Sequence, residues 1–366
     1  MLEIGGGWNY IARLVESLGE CDRENSYVAF VTDKNVGMVP RRPNFETVVV
    51  GINAASRAQR VLYENTTLQV VARKQRLDLM HWFANTIAVA NSVPGVVTVY
   101  DLQVFENPQA FTRVHRIYLQ ALLPHAARRA ALLLPISRTT AQVLCNILEA
   151  RLERMQVIPP IVHVSFQPVS SDKIIELRQK YNLPDQFWLY VAHLYPHKNH
   201  LRLLQAYCEL KSAGLSPWPL VMRGDDHGAG KEARRLVTQL GLNNDVRFLA
   251  RLPEGGLPVL YSSATAAVFP SLYEGAGIPV LEAMASGCPI IASDISAVNE
   301  FGGEAVVRFN PLDVTSIRNT MIAFQQDTQE RFRVRQLGLE RARSHRADRV
   351  IPKLVGAYQR AVSSLR

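Results

Sequence analysis

Apolar positions along the chain fall into two alternating kinds of run: short blocks of aliphatic and β-branched residues, and longer stretches with the three-to-four spacing of a helix. Val28–Thr32 and Thr47–Val50 read as buried parallel strands. The spacing from Asn53 to Gln75 suits a helix, and Asp78–His81 reads as a short strand finishing on the histidine. Val96–Leu102 is the best-formed strand of this half and runs out at Asp101. Phe111–Leu134 reads as helix, kinked or broken at Pro124, and leads into the block Leu132–Ile136, with Ser137 capping the helix beyond. The proline-bearing stretch from Met155 to Val169 reads as a linker and puts a domain boundary near Pro168.

The alternation then begins again. Phe187–Ala192 is a strand, and the helix after it turns Leu203, Leu204, Tyr207 and Leu210 inward. Further strands are expected at Pro219–Arg223, Val246–Ala250, Ala264–Phe269 and Pro289–Ser293, and the tail from Arg346 to Leu365 has the pattern of an amphipathic helix. Strands separated by helices make parallel sheets, so the fold class is α/β with two domains. The expected division is 1–168, 169–345 and a closing helix at 346–366.

Composition changes this picture little. A chain of 366 residues with 48% apolar and 20% charged residues is an ordinary globular protein of about two domains. No apolar run approaches the roughly 18 residues of a membrane span, and no leader pattern opens the sequence, so a cytoplasmic address is expected. Four cysteines are scattered without C-x-x-C pairing, which implies neither a zinc site nor a disulfide framework. The net charge of +9 admits an anionic partner. The basic clusters lack interleaved aromatics, which argues against nucleic acid. The Arg113–Arg129 region is a candidate for peripheral contact with an anionic membrane surface at its inner face.

The chemistry concentrates in Phe269–Gly287, FPSLYEGAGIPVLEAMASG. A strand leads into a loop with Gly275 and Gly277, and Pro279 suits the first position of a helix that Gly287 ends. Such a helix start, with Gly275, Ala276, Gly277, Ile278 and Pro279 around it, suits a phosphate. Glu274 in the loop and Glu282 in the first helical turn bracket it, and carboxylates accept hydrogen bonds from the paired hydroxyls of a sugar. Phosphate plus sugar hydroxyls suggests a sugar nucleotide. Elsewhere, Gly5-Gly6-Gly7 enters a helix, and His81, Tyr100 and Asp101 are expected at one carboxyl edge of the first sheet.

Glu-Gly-x-Gly-x-Pro-x-x-Glu-Ala-Met-Ala-x-Gly after Phe-Pro-Ser resembles the signature of the retaining, nucleotide-sugar-dependent glycosyltransferases of GT-B fold, the mannosyltransferase-like group 1 enzymes. The resemblance covers nearly the whole chain and is strongest from Leu189 to Pro311. It implies two Rossmann-like α/β/α domains facing across a cleft, with the closing helix crossing back to the first. It also implies transfer of a sugar from a nucleotide diphosphate sugar to a glycan or lipid-linked acceptor in cell-surface polysaccharide or glycolipid synthesis, with no cofactor and no metal. The loop His193-Leu-Tyr-Pro-His-Lys198-Asn resembles the family's phosphate-binding segment. On this resemblance Glu274, Lys198 and Asp101 are the catalytic candidates. Glu282, His193, Arg223 and Arg251 join the glycine loop on the donor, and Gly6, Gly7, His81 and Tyr100 lie on the acceptor side. Tyr100 stands where the family commonly has histidine, and a phenol does not titrate as an imidazole does. Only Met1–Ile4 precede the glycine turn that follows the family's first strand, so that strand is expected to be missing. Two rival classes are a non-catalytic binder of sugar nucleotides or glycans and a dinucleotide oxidoreductase. Tyr10, standing where G-x-G-x-x-G needs its third glycine, weakens the second.

Overall fold

The computed structural model describes residues 6–53, 56–214 and 216–363. Gly5, and the expectation of a missing first strand before it, lie outside them. The chain divides into two compact units, one of residues 1–161 with 347–366 and the other of 162–346.

The first unit holds strands β1 (Tyr27–Val31), β2 (Phe45–Val49), β3 (Met80–Trp82), β4 (Gly95–Val99) and β5 (Leu132–Pro135). Among the described residues they form two parallel sheets, β1-β2 and β3-β4-β5. Every position of β4 and β5 is buried, as their unbroken apolar runs require. Every position of β1 is only half-buried. The helix Ala347–Ser363 belongs to this unit and packs against the helix Gly6–Cys21.

The second unit carries one six-stranded parallel sheet in the order β11-β10-β9-β6-β7-β8. Its strands are β6 (Trp188–Val191), β7 (Leu220–Arg223), β8 (Val246–Leu249), β9 (Ala266–Phe269), β10 (Ile290–Ser293) and β11 (Val307–Phe309). The helix His200–Ser212 buries Leu203, Leu204, Tyr207 and Leu210 in a core shared with Trp188, Ile317, Met321 and Phe324.

Several expectations need correcting. The helix expected at 53–75 is two helices, Arg57–Asn65 and Thr67–Lys74, interrupted at Thr66. Pro124 does not break its helix, which runs unbroken from Arg113 to Arg129 and stops before β5. The expected linker begins later than Met155. Gln156 N donates to Leu133 O, Ile158 N donates to Pro135 O, and Tyr10 Oη reaches Ile158 O. Residues 155–158 therefore extend the β3-β4-β5 sheet beyond β5, and the division falls at 161/162 rather than near Pro168. Beyond it, the Arg346 guanidinium ties the carbonyls of Val162, His163 and Phe166 to the second unit.

Candidate functional site

The strand order of the second sheet fixes where its chemistry gathers. From β6 the chain moves outward through β7 to β8, then returns to β9 on the other side of β6 and moves outward through β10 to β11. The order reverses between β6 and β9, so the loops leaving their carboxyl ends run in opposite directions and open a crevice there. The loop 192–199 follows β6, and the loop 270–277 follows β9.

Asn199 joins the two loops. Its backbone is left-handed, φ 58°, a conformation asparagine tolerates better than most side chains. Its buried amide donates to Pro270 O at 2.9 Å and to Pro311 O at 2.8 Å. Leu272 N donates to His197 O at 2.8 Å. With the loops thus fixed, Lys198 Nζ meets Glu274 Oε1 at 2.6 Å, and Ser271 Oγ donates to the same oxygen at 2.7 Å. Lys198 and Glu274 are each 14% exposed, a setting in which water screens the pair weakly. Tyr190 Oη is buried with no hydrogen-bond partner among the described residues, and burial, with Glu274 nearby, pushes its pKa up.

Gly277 has φ +59° and stands at the N-cap of the helix Ile278–Ala285, with Pro279 in its first turn. Ala276 is buried, while Gly275, Ile278 and Pro279 are half-buried. Gly287, φ +72°, follows the helix in the left-handed conformation its position predicts. Glu282 corrects the sequence reading. It is the fifth residue of the helix, in the second turn rather than the first, and it is 4% exposed.

A third loop contributes aromatic rings. Tyr195 is stacked with His197, ring centroids 5.5 Å apart, and with His227 from the loop after β7, 4.6 Å apart. His193 meets His227 edge-on at 4.7 Å. Its Nδ1 accepts from Asp225 N at 3.2 Å, which puts the proton of the neutral ring on Nε2. Burial, and then His227, hold His193 below the usual imidazole range. Burial and the Lys198 ammonium bring His197 down to about 4. Arg223 Nη1 stands 3.5 Å from Asp225 Oδ1. Asp226 Oδ1 accepts from Gly228 N and Gly230 N and so holds a turn. Arg251 is exposed beyond β8, the sheet's edge strand, away from the reversal point. Sequence reasoning missed Asn199, Ser271, Tyr195 and His227. Asn199 and Tyr195 lie in the His193–Asn199 segment and Ser271 in the Phe-Pro-Ser run, while nothing in the sequence singled out His227.

The candidates of the first unit are held inside it. His81 lies at the middle of β3, not at a strand end. Its Nδ1 is 2.7 Å from Tyr358 Oη and its Nε2 is 2.7 Å from Thr98 Oγ1. Both nitrogens are thus engaged within the unit, and burial lowers its pKa to about 3. Asp101 Oδ1 accepts from Gln103 N at 3.0 Å at the start of the short helix Gln103–Glu106, and burial raises its pKa. Tyr100 packs edge-on against Tyr10 at 5.6 Å, and its buried Oη has no hydrogen-bond partner among the described residues. Gly6 and Gly7 open the helix Gly6–Cys21.

Comparison with known proteins gives these residues a context. Residues 173–338 match the family model of glycosyl transferases group 1. O-antigen chain mannosyltransferase B of Escherichia coli is 28% identical over 266 residues, which are 72% of this chain and 70% of that enzyme. Among solved structures, sucrose-phosphate synthase from Thermosynechococcus elongatus superposes with a TM-score of 0.79 at 20% identity, covering 98% of this chain and 94% of that one. Anabaena HepE, in complex with UDP and glucose, superposes with a TM-score of 0.73 at 19% identity, covering 99% and 96%.

Proposed function

We propose that the chain is a group 1 glycosyltransferase of GT-B fold that moves a hexosyl group from a nucleotide diphosphate sugar to a glycan or lipid-linked hydroxyl in surface polysaccharide synthesis, with retention of configuration. The observation that carries the reading is the meeting of Lys198 and Glu274 where the sheet order reverses. The anomeric carbon exchanges its bond to a diphosphate oxygen for one to the acceptor oxygen, and the acceptor's proton leaves with the diphosphate. Negative charge grows on the diphosphate as the first bond breaks. Lys198 and the start of the helix Ile278–Ala285 are the groups suited to stabilise it, with no cofactor in this reading. Glu274 and Glu282 accept from hydroxyls of the sugar and the ribose. Asp101, already capping a turn, receives no catalytic role here.

The acceptor side of this reading includes a membrane contact. On the helix Arg113–Arg129, Val114 is 73% exposed and Ile117 is 58% exposed, one turn apart and flanked by Arg113 and Arg116. An apolar stripe beside arginines suits the interface of an anionic bilayer. Among the described residues no helix is long and apolar enough to cross a membrane.

Incubation with GDP-, UDP- and ADP-sugars and a lipid-linked glycan tests the reading, with the anomeric proton coupling of the product read by NMR. A product with the donor's configuration supports retention, and an inverted product overturns it. Binding without turnover of any donor would favour a non-catalytic sugar-nucleotide binder.

A further inference from the structure

This inference rests on the donor reading above and concerns what Glu274 does besides accepting from the sugar. The ammonium of Lys198 is held by Glu274 at 2.6 Å, with Ser271 Oγ on the same carboxylate oxygen. A diphosphate that draws Lys198 to itself therefore competes for it with Glu274. We propose that Glu274 makes the site discriminate the intact sugar nucleotide from the free nucleoside diphosphate, by competing with the diphosphate for Lys198.

The argument is one of donors and acceptors. An ionised carboxylate accepts hydrogen bonds only, and phosphate oxygens offer none to it. A nucleoside diphosphate that captures Lys198 leaves Glu274 with Ser271 as its hydroxyl donor. Losing a partner at a largely buried charge is costly. A sugar nucleotide brings hydroxyls in the same molecule, so Glu274 exchanges an ammonium for new donors while the diphosphate gains the ammonium. Once the glycosyl group has moved to the acceptor those hydroxyls leave. Glu274 then recaptures Lys198, and the diphosphate loses its cation. The same residue thus favours entry of the donor and exit of the product.

Calorimetry on the full chain, with ADP, GDP and UDP and then the matching hexose nucleotide, tests this. Glu274→Gln keeps the size but removes the competing charge. It is expected to bind the nucleoside diphosphate about tenfold more tightly, and the sugar nucleotide more weakly, than the wild type does. In a Lys198→Ala background the gain from Glu274→Gln should shrink below about twofold, because no ammonium remains to compete for. Ser271→Ala, which leaves Lys198 as the donor Glu274 depends on, should weaken diphosphate binding about two- to threefold and keeps a test available if Glu274→Gln fails to fold. Equal or weaker diphosphate binding by Glu274→Gln overturns the proposal. An undiminished gain in the Lys198→Ala background does so too, since it would mean simple repulsion between anions. If the wild type binds none of the three nucleotides or their sugars, the donor reading falls and this inference falls with it.

Discussion

The two units are built from the same repeating strand-helix unit, yet they use their polar residues differently. In the second, an unbroken sheet with fully buried β6, β9 and β10 holds two loops at its reversal point, and those loops turn Lys198, Glu274 and a set of imidazoles toward one another. In the first, β1 is half-buried throughout, and the described strands fall into two separate sheets. There the residues with chemical potential, His81 and Asp101, spend their hydrogen bonds on Tyr358, Thr98 and Gln103. The difference teaches that a polar residue near a strand's carboxyl end becomes part of a site only when the backbone around it is satisfied by something else. Asn199 does that work for Lys198 and Glu274. In the first unit Asp101 accepts from the backbone itself, and His81 is taken up by two side-chain hydroxyls.

The sharpest break in this comparison is kinetic. Lys198→Ala should lower the transfer rate by about 10²–10³-fold, or roughly 2.7–4 kcal/mol, and lower donor affinity less, because charge on the diphosphate peaks as the bond breaks. Asp101→Asn, which keeps a side-chain acceptor for Gln103 N, should leave the rate within about threefold. Steady-state kinetics on both variants decide whether the chemistry is as one-sided as the hydrogen bonds indicate.

Packing should follow the same division. Leu204 is fully buried in the second unit's core, and Leu204→Ala is expected to cost about 3 kcal/mol. Val28 on half-buried β1 should cost about 1 kcal/mol as Val28→Ala. Denaturant unfolding of the pair checks this, and equal losses would mean the two sheets are equally consolidated.

Acid should pick out His81. Its folded pKa, about 3, lies below the ordinary imidazole value. As the pH falls below about 6.5 the unfolded chain binds a proton that the folded chain refuses, so stability rises with pH through this window and is lost on acidification. The loss should reach about 3 kcal/mol by pH 4. Amide exchange in β3 and β4 should report it, and His81→Gln should flatten the slope.

Glu282→Gln should act on binding rather than on the rate. If Glu282 accepts from the donor ribose, nucleotide affinity should fall by about 1.5–2 kcal/mol while the rate at saturating donor changes little. Calorimetry giving an unchanged affinity would reduce Glu282 to a buried residue of the helix.

Much of this molecule was legible in one dimension. The α/β class followed from apolar blocks alternating with helical spacing, because a strand buried on both faces must be apolar along its whole length. The strand-loop-helix at Phe269–Gly287 was legible for a similar reason. Gly277 and Gly287 adopt positive φ and Pro279 has a fixed one, so local backbone geometry alone marks the start and end of that helix. What tertiary structure decided was the partner of each polar group. The sequence places Lys198 and Glu274 76 residues apart, and only the reversal of strand order between β6 and β9 brings their side chains to 2.6 Å. His81 looked like a strand-end ligand until Tyr358, 277 residues away, took one of its nitrogens. Residues 155–158 looked like a linker until Leu133 and Pro135 supplied their hydrogen bonds. Backbone conformation and burial are set by neighbours in the chain and by period, which a sequence displays. A hydrogen bond or ion pair needs two groups within about 3 Å, and which two groups meet is settled by how strands are ordered in a sheet, a property no single segment carries.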